Sequence, residues 1–464
     1  MRHFPDPRAG GADPLLGPRD IVRSGLCIGC GSCAASAGAP MRWDRDGFIK
    51  PDLGAPPPEE FARQCPFSPE APTEDEIAFE RFATAPHADP RIGRFERAYV
   101  GHAVEDPFRR NGSSGGLTSW VAAELLRTGA VDGIAHVAPA DPRTDGRFFA
   151  YRISRSLDEL SEGAKSRYYP VELSAIISEI RATPGRYAIV GVPCFIKAIH
   201  LLRRIDPLVR ERVTHTLGLF CGHMKSAAMV ESFAWQLGAE ISRVRALDYR
   251  IKDESRPANW YRAHLQLEDG SSAAQDWWHL ADGDWGAGFF QNPACDWCDD
   301  VVAETADVSF GDAWVEPYSS DGRGTNVMVV RSKELAATVE QARLDGRLEL
   351  TPVDADFIAQ TQAAGLRHRR DGLAYRLSWR RRGLRPRKRV AASADLPPRR
   401  KLLYRLRYAI ARWSHRVFRV ARALHAPRLY TLWARTLLRF YQSVTWSHGR
   451  LGKLLDRVMA QPER

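Results

Sequence analysis

Eight cysteines fall into two sets of four along this chain, and any fold it adopts must bring each set together. Cys27, Cys30 and Cys33 stand at x2 spacing with Gly29 and Gly31 between them, and Cys65-Pro66 follows 32 positions after Cys33. Three thiolates at that spacing on a glycine-containing loop can wrap three corners of a cubane, and a distant Cys-Pro can close the fourth. The first set therefore reads as a [4Fe–4S] site. Zinc is the competing occupant, because four-cysteine zinc sites also use CxxC pairs; the third cysteine at x2 spacing favours iron–sulfur. Disulfides fit less well, since the opening MRHFPDPRAGGADPLLGPRD has no apolar h-region and a reducing compartment is expected.

The second set draws on context. Cys194 and Cys221 are single residues, and a lone buried cysteine is usually a small core hydrophobe. Yet Gly191-Val192-Pro193-Cys194 follows the strand-like run Tyr187 to Val190, and Cys221-Gly222-His223 follows another apolar run ending in Phe220. Both cysteines are thus expected where a strand ends, the place at which sites gather in α/β sheets. Cys295 and Cys298 complete a second four, so two [4Fe–4S] clusters and an internal electron path are expected.

Six motifs, Asn111 to Gly116, Lys165 to Tyr168, Gly191 to Cys194, Phe220 to His223, Pro293 to Cys298 and Asp307 to Asp312, occur in the order found in a known family. Over roughly residues 20 to 335 the chain resembles the coenzyme F420 hydrogenase/dehydrogenase beta subunits. The resemblance implies an iron–sulfur flavoprotein oxidoreductase with FAD beside a cluster. Its two-cluster members include reductases of chlorophyll intermediates. Electrons would enter from a ferredoxin-like one-electron carrier or from reduced F420, pass through clusters and FAD, and leave as a pair to an unnamed acceptor.

The residues support a flavin with less specificity. Asn111, Ser113, Ser114, Gly115 and Gly116 lead into the apolar helix 117–127, where small residues let backbone N–H groups approach a pyrophosphate and the helix end adds about half a positive charge. Taken alone, the segment reads more readily as an ordinary N-cap on Ser113 or Ser114, and the family resemblance reverses that weighting. Lys165, Ser166 and Arg167 are candidates for holding the flavin, as are Gly191, Pro193 and the strand-end Asp312. His223 and Tyr168 are the candidate proton donors, with His102 behind them. Trp277, Trp278, Trp285, Phe289 and Phe290 could stack on a planar ring, or could simply be core.

Composition of 44% hydrophobic and 27% charged residues is ordinary for a soluble protein, and no 18-residue uncharged apolar run is present. The length predicts more than one core. The strand, Gly-rich turn, helix, strand order predicts an α+β or α/β mixed sheet. The expected segments are a loose N-terminus (1–20), a ferredoxin-like segment (21–70), core regions 96–223 and 224–366, and a tail (367–464).

That tail carries 27 Lys and Arg against 4 Asp and Glu, leaving the preceding 366 residues acidic with 40 against 52. Leu402, Leu406, Ile410, Trp413, Val417, Val420 and Leu424 recur at helical spacing among arginines, and a similar pattern follows Pro427. Two readings stand for this basic amphipathic pair. It lies on an anionic membrane at the cytoplasmic face, or it packs as a hairpin on the acidic body or another subunit. Nucleic acid is not expected, because the apolar stripe is wider than phosphate binding needs. A different class also stands: a metal- or cluster-stabilised assembly protein of a membrane-associated biosynthetic complex, with no redox turnover.

Overall fold

The computed structural model describes residues 16–54, 58–380 and 383–459. Its centre is one eight-stranded mixed sheet in the order Leu348–Pro352, Arg97–Ala103, Asn326–Val330, Val308–Asp312, Val213–Leu219, Tyr187–Gly191, Gly133–Pro139 and Phe149–Ser154. Strands 308–312, 213–219, 187–191 and 133–139 run parallel to one another. The remaining pairings are antiparallel. This is the mixed α+β architecture that the strand and helix order predicts.

Side chains alternate between the two faces of the sheet. Tyr99, Leu217, Met328 and Val330 pack beneath helices Leu117–Arg127 and Lys333–Leu344. Val100, Val327 and Val329 face the opposite side. There, under the neighbouring strands, Ile189 and Tyr187 meet helices Ser174–Ala182 and Pro193–Ile205. Asn326–Val330 is buried along its whole length, as a strand covered on both faces must be.

Strands from residues 96–223 and from 224–366 share this sheet, so position 223/224 lies inside one folding unit. Sequence order hid this because strand 308–312 enters beside 213–219, while 326–330 returns to pair with 97–103. Of the expected loose N-terminus, residues 1–15 lie outside the described residues, and residues 18–20 instead open the helix Pro18–Arg23, started by its proline.

The tail forms helices Pro398–Ala423 and Pro427–Trp446, which pack against each other and on the body. Ile410, Phe418 and Tyr430 enter the main core, and Phe418 stacks on Trp235 with ring centroids 4.4 Å apart. Arg419 pairs with Asp46 at 2.7 Å, and Arg422 pairs with Glu231. One face of the tail therefore docks on the acidic body, which is the hairpin reading.

Candidate functional site

The parallel strands all end on one edge of the sheet, the edge where α/β ligands bind. Adjacent strands 187–191 and 213–219 deliver Cys194 and Cys221 there, and strand 308–312 delivers Asp312. Cys194 occupies the first turn of helix Pro193–Ile205, just after Pro193. Cys295 lies in the 3-10 turn Pro293–Trp297 and Cys298 caps that turn. Arg369 donates to the carbonyls of Cys295, Cys298 and Gly222, which gathers the segments of Cys221, Cys295 and Cys298, and the same three thiols add to burial in raising Cys194. Burial is the first cause of the upward shift in all four, to about 12 for Cys221 and about 11 for Cys295.

The first set is assembled differently. Cys27, Cys30, Cys33 and Cys65 line a single small cavity. Gly29 and Gly31 turn the loop in the left-handed region, and an added Cβ would stand 2.3 Å from the Ile49 carbonyl oxygen and 2.6 Å from the Glu172 carboxylate respectively. Cys65 caps the short helix Phe61–Gln64. Gln64 Nε2 donates to the Ser32 carbonyl at 2.8 Å and to the hydroxyls of Ser32 (2.9 Å) and Ser36 (2.7 Å), which ties the distant cysteine to the Cys33 helix. Burial raises the Cys30 thiol to about 12 and lifts Cys33 and Cys65 well up. Cys30, Cys33 and Cys65, buried in this way, ionise only if a cationic centre takes their charge. Among the described residues no three His, Cys, Asp or Glu side chains converge on a point that would hold a single metal ion.

A larger cavity of about 830 Å³ opens on the same sheet edge and has Cys221 in its wall. Ser113, Ser114, Gly116, Lys165, Ser166, Arg167, Tyr168, Gly191, His223 and Asp312 line it. Asn111, Gly115 and Pro193 do not. Asn111 ends a short helix and is exposed, Gly115 packs against the Gly101 carbonyl and Asn326, and Pro193 is buried at the start of its helix. The loop geometry still requires glycine at 116, whose φ is +80° and where a Cβ would stand 2.4 Å from the Phe108 carbonyl carbon. His102 lies off the cavity, 3.7 Å from Glu349. Trp277, Trp278 and Trp285 reach the wall, whereas Phe289 and Phe290 are core.

Two adjacent stretches match the models of the coenzyme F420 hydrogenase/dehydrogenase beta subunits: residues 98–178 the model of their N-terminal part, and residues 185–356 the model of their C-terminal part. The chain belongs to this family. Hydrogenase and dehydrogenase beta subunits are redox proteins, so the class of chemistry follows. No curated protein sequence matches the chain. Among solved structures, a chain of the F420-reducing [NiFe] hydrogenase complex from Methanosarcina barkeri aligns over 65% of this chain and 99% of its own, at 18% identity and a TM-score of 0.49.

Within this family scaffold, four cations escaped the motif reading. Arg250 donates to Asp312 at 3.0 Å and lies 4.1 Å from the Tyr261 ring centre, so Asp312 is neutralised at the cavity wall. Lys252 donates to the carbonyls of Ser114 (3.0 Å), Arg323 (2.7 Å) and Arg109, clamping the small-residue loop; burial lowers it to about 8. Lys225, 1% exposed, donates to the Phe289 carbonyl at 2.6 Å beside the Trp285 ring, and burial lowers it to about 7. Arg369 lies among the second thiol set. None sits in a recognisable motif; a single cation in loop sequence carries no signal until burial strips its water.

The predicted residues hold definite positions. Lys165 is paired with Asp248 at 2.6 Å, and the Ser166 N–H donates to the Ser113 hydroxyl at 2.9 Å. Arg167 leaves its buried Nε without a partner and lies over Phe149. His223 stacks on Trp285 at 4.2 Å, its Nε2 is unpartnered, and burial drives its pKa well down, so the ring is neutral at pH 7. Tyr168 packs on Trp285 at 4.7 Å, and burial holds its phenol protonated.

Proposed function

We propose that this protein is a redox enzyme that holds one [4Fe–4S] cluster on Cys27, Cys30, Cys33 and Cys65, a second on Cys194, Cys221, Cys295 and Cys298, and FAD in the large cavity. Its donor is a ferredoxin-like or F420-type carrier, and its acceptor takes an electron pair. The observation that carries this reading is linear order: Asn292, which caps the turn carrying Cys295, donates to the Ile28 carbonyl in the first cysteine loop at 3.4 Å, and Cys221 lies in the wall of the large cavity. When bound, these groups supply one-electron storage and the change to two-electron chemistry. The x2 spacing of Cys27, Cys30 and Cys33 suits the corners of a polynuclear cluster, whereas a zinc ion would need all four sulfurs about 2.3 Å from one point.

The chain's own residues supply position and charge. Ser113, Ser114 and Gly116 at the start of helix 117–127 present the backbone cradle for a pyrophosphate, with Lys252 fixing the loop from outside. The buried Nε of Arg167 is a donor in want of an acceptor at the same wall. Tyr168, Tyr261, Trp277 and Trp285 form an aromatic side that excludes water and fits a planar ring. Lys225 is half-protonated near neutral pH and lines the cavity, which suits it to hand over a proton better than the neutral His223. Iron, acid-labile sulfide, zinc and FAD counted per chain after anaerobic purification test the reading. About eight iron, about eight sulfide and one FAD are expected; a colourless protein with stoichiometric zinc would overturn it.

We further infer that the outer face of the tail rests on an anionic membrane surface. Among the described residues no helix is long and apolar enough to cross a membrane. Around the turn between the two tail helices, however, Leu424 and Leu432 are 64% and 70% exposed, with Val420 and Leu429 beside them. Arg416, Arg428 and Arg435 flank them, with no carboxylate partner among the described residues. Apolar side chains ringed by unpaired arginines match the acyl boundary and the headgroups. Flotation with phosphatidylserine vesicles is expected to carry the full-length protein. At about 1 kcal/mol per basic residue near the surface, Arg428→Gln with Arg435→Gln should weaken binding by about 30-fold. Equal flotation of wild type and variant would refute membrane contact.

A further inference from the structure

Each thiol set has a different charged side chain buried against it. Arg369 is 2% exposed and spends its donors on neutral groups alone: the carbonyls of Cys295 (2.9 Å), Cys298 (3.4 Å) and Gly222. Among the described residues it forms no ion pair with a carboxylate. The nearby Lys388, by contrast, is tied to Asp299 at 3.0 Å. Arg369 thus brings a positive charge into the dry space shared by Cys194, Cys221, Cys295 and Cys298; the buried Asp296, Asp299 and Asp300 also lie near, but Asp299 is already paired with Lys388 and Arg389, and Arg369 is the strongest charge acting on Cys221, Cys295 and Cys298. At the first set the buried neighbour is an anion: the Glu172 carboxylate accepts the Ser174 N–H at 2.5 Å and abuts Gly31. Among the described residues its one cationic contact, Arg147 at 3.8 Å, is 30% exposed. Lys50 does donate to the Cys27 carbonyl at 2.5 Å, but it is only partly buried and is screened by water.

Adding an electron to a cluster adds one negative charge, so a fixed cation nearby favours the reduced form and a fixed anion disfavours it. The effect grows as water is excluded. We propose that Arg369 is a positioning residue for electron flow: its charge makes the Cys194/Cys221/Cys295/Cys298 site the stronger electron acceptor, so that electrons drain from the Cys27/Cys30/Cys33/Cys65 site toward the cavity. The step balances as one electron lost by the outer site and one gained by the inner, with no proton moved. A low-potential one-electron carrier refills the outer site, and an acceptor at the cavity empties the inner one. This inference rests on the iron–sulfur reading above.

The test is a dithionite titration followed by electron paramagnetic resonance on protein whose iron and sulfide have been counted first, with Cys30→Ser assigning the two reductive steps. The higher-potential step is expected to belong to the inner site. Arg369→Gln should lower that step alone, by at least a tenfold loss in the equilibrium constant for inward transfer, which is 59 mV for a one-electron couple. Arg369→Lys should restore most of it, since a merely structural role would not follow charge. If Arg369→Gln does not retain iron, Glu172→Gln decides, with the outer step expected to rise toward the inner one. An outer site of higher potential, or midpoints unmoved by both substitutions, overturns the inference while leaving the clusters in place. Fewer than about four irons per set at the outset overturns the cluster reading itself.

Discussion

Cys30→Ser is expected to remove about four of about eight irons per chain, and Cys298→Ser the other four. The two losses should be separable because the sets are built by different means. The first is held by the glycine turns and the Gln64 bridge to Ser32 and Ser36. The second is held by the ends of adjacent parallel strands and the turn Pro293–Trp297. Cys30 and Cys298 are each 8% exposed, so a serine there meets little water and makes a poor ligand. FAD should survive in Cys30→Ser, whose site lies away from the large cavity, and fall in Cys298→Ser if the wall at Cys221 relaxes. Iron, sulfide and released flavin measured on the same samples check this. Loss of all the iron from either variant would show one shared site instead of two.

Arg389→Met is expected to destabilise the fold by about 3–5 kcal/mol, the usual cost of leaving a buried ion pair with one partner. Arg389 reaches Glu304 at 2.6 Å and Asp299 at 3.5 Å, and these carboxylate side chains are 1% and 0% exposed. Its own N–H donates to Asp299 at 3.1 Å. Burial pushes the Asp299 carboxyl up, but Lys388 and Arg389 together hold it well below the usual carboxylate range. A carboxylate so depressed contributes stability fully above its unfolded pKa of about 3.9 and loses that contribution as pH falls toward the folded value. Urea unfolding at pH 7 should therefore show the loss, and the gap between wild type and variant should narrow in acid. Adding Glu304→Gln should recover part of it. An unchanged midpoint would mean that relaxation or entering water repays the missing charge.

This pair also shows where sequence reading stops. The basic tail and acidic body were visible in the charge count, and the helical spacing of Leu406, Ile410, Val417 and Leu424 announced the helix Pro398–Ala423. Nothing in that pattern told a membrane from a protein surface, because periodicity names an apolar face and not what covers it. In the folded chain both answers occur on one hairpin: Phe418 and Tyr430 are core, while Leu432 is open. Truncating the tail would therefore unroof the core as well as remove the outer face.

The cavity follows the same division. Its small-residue loop, the strand-end Asp312 and the aromatic run were legible as local motifs. Lys225, Arg250 and Lys252 were not, since each is an ordinary cation until the fold takes it out of water.

By itself the sequence determined the x2 run of Cys27, Cys30 and Cys33, the strand ends that carry Cys194 and Cys221, and the helices of the tail. All of these depend on spacing within a turn, a strand or a helix, where the chain's own geometry is decisive. Only the tertiary structure decided that Gln64 ties Cys65 to the Cys33 helix, that strands on both sides of residue 223 share a sheet, and that the buried Arg369 bonds to the carbonyls of Cys295 and Cys298. Those arrangements join residues far apart in the chain, and what selects them is burial and the pairing of charge, quantities that no local window contains.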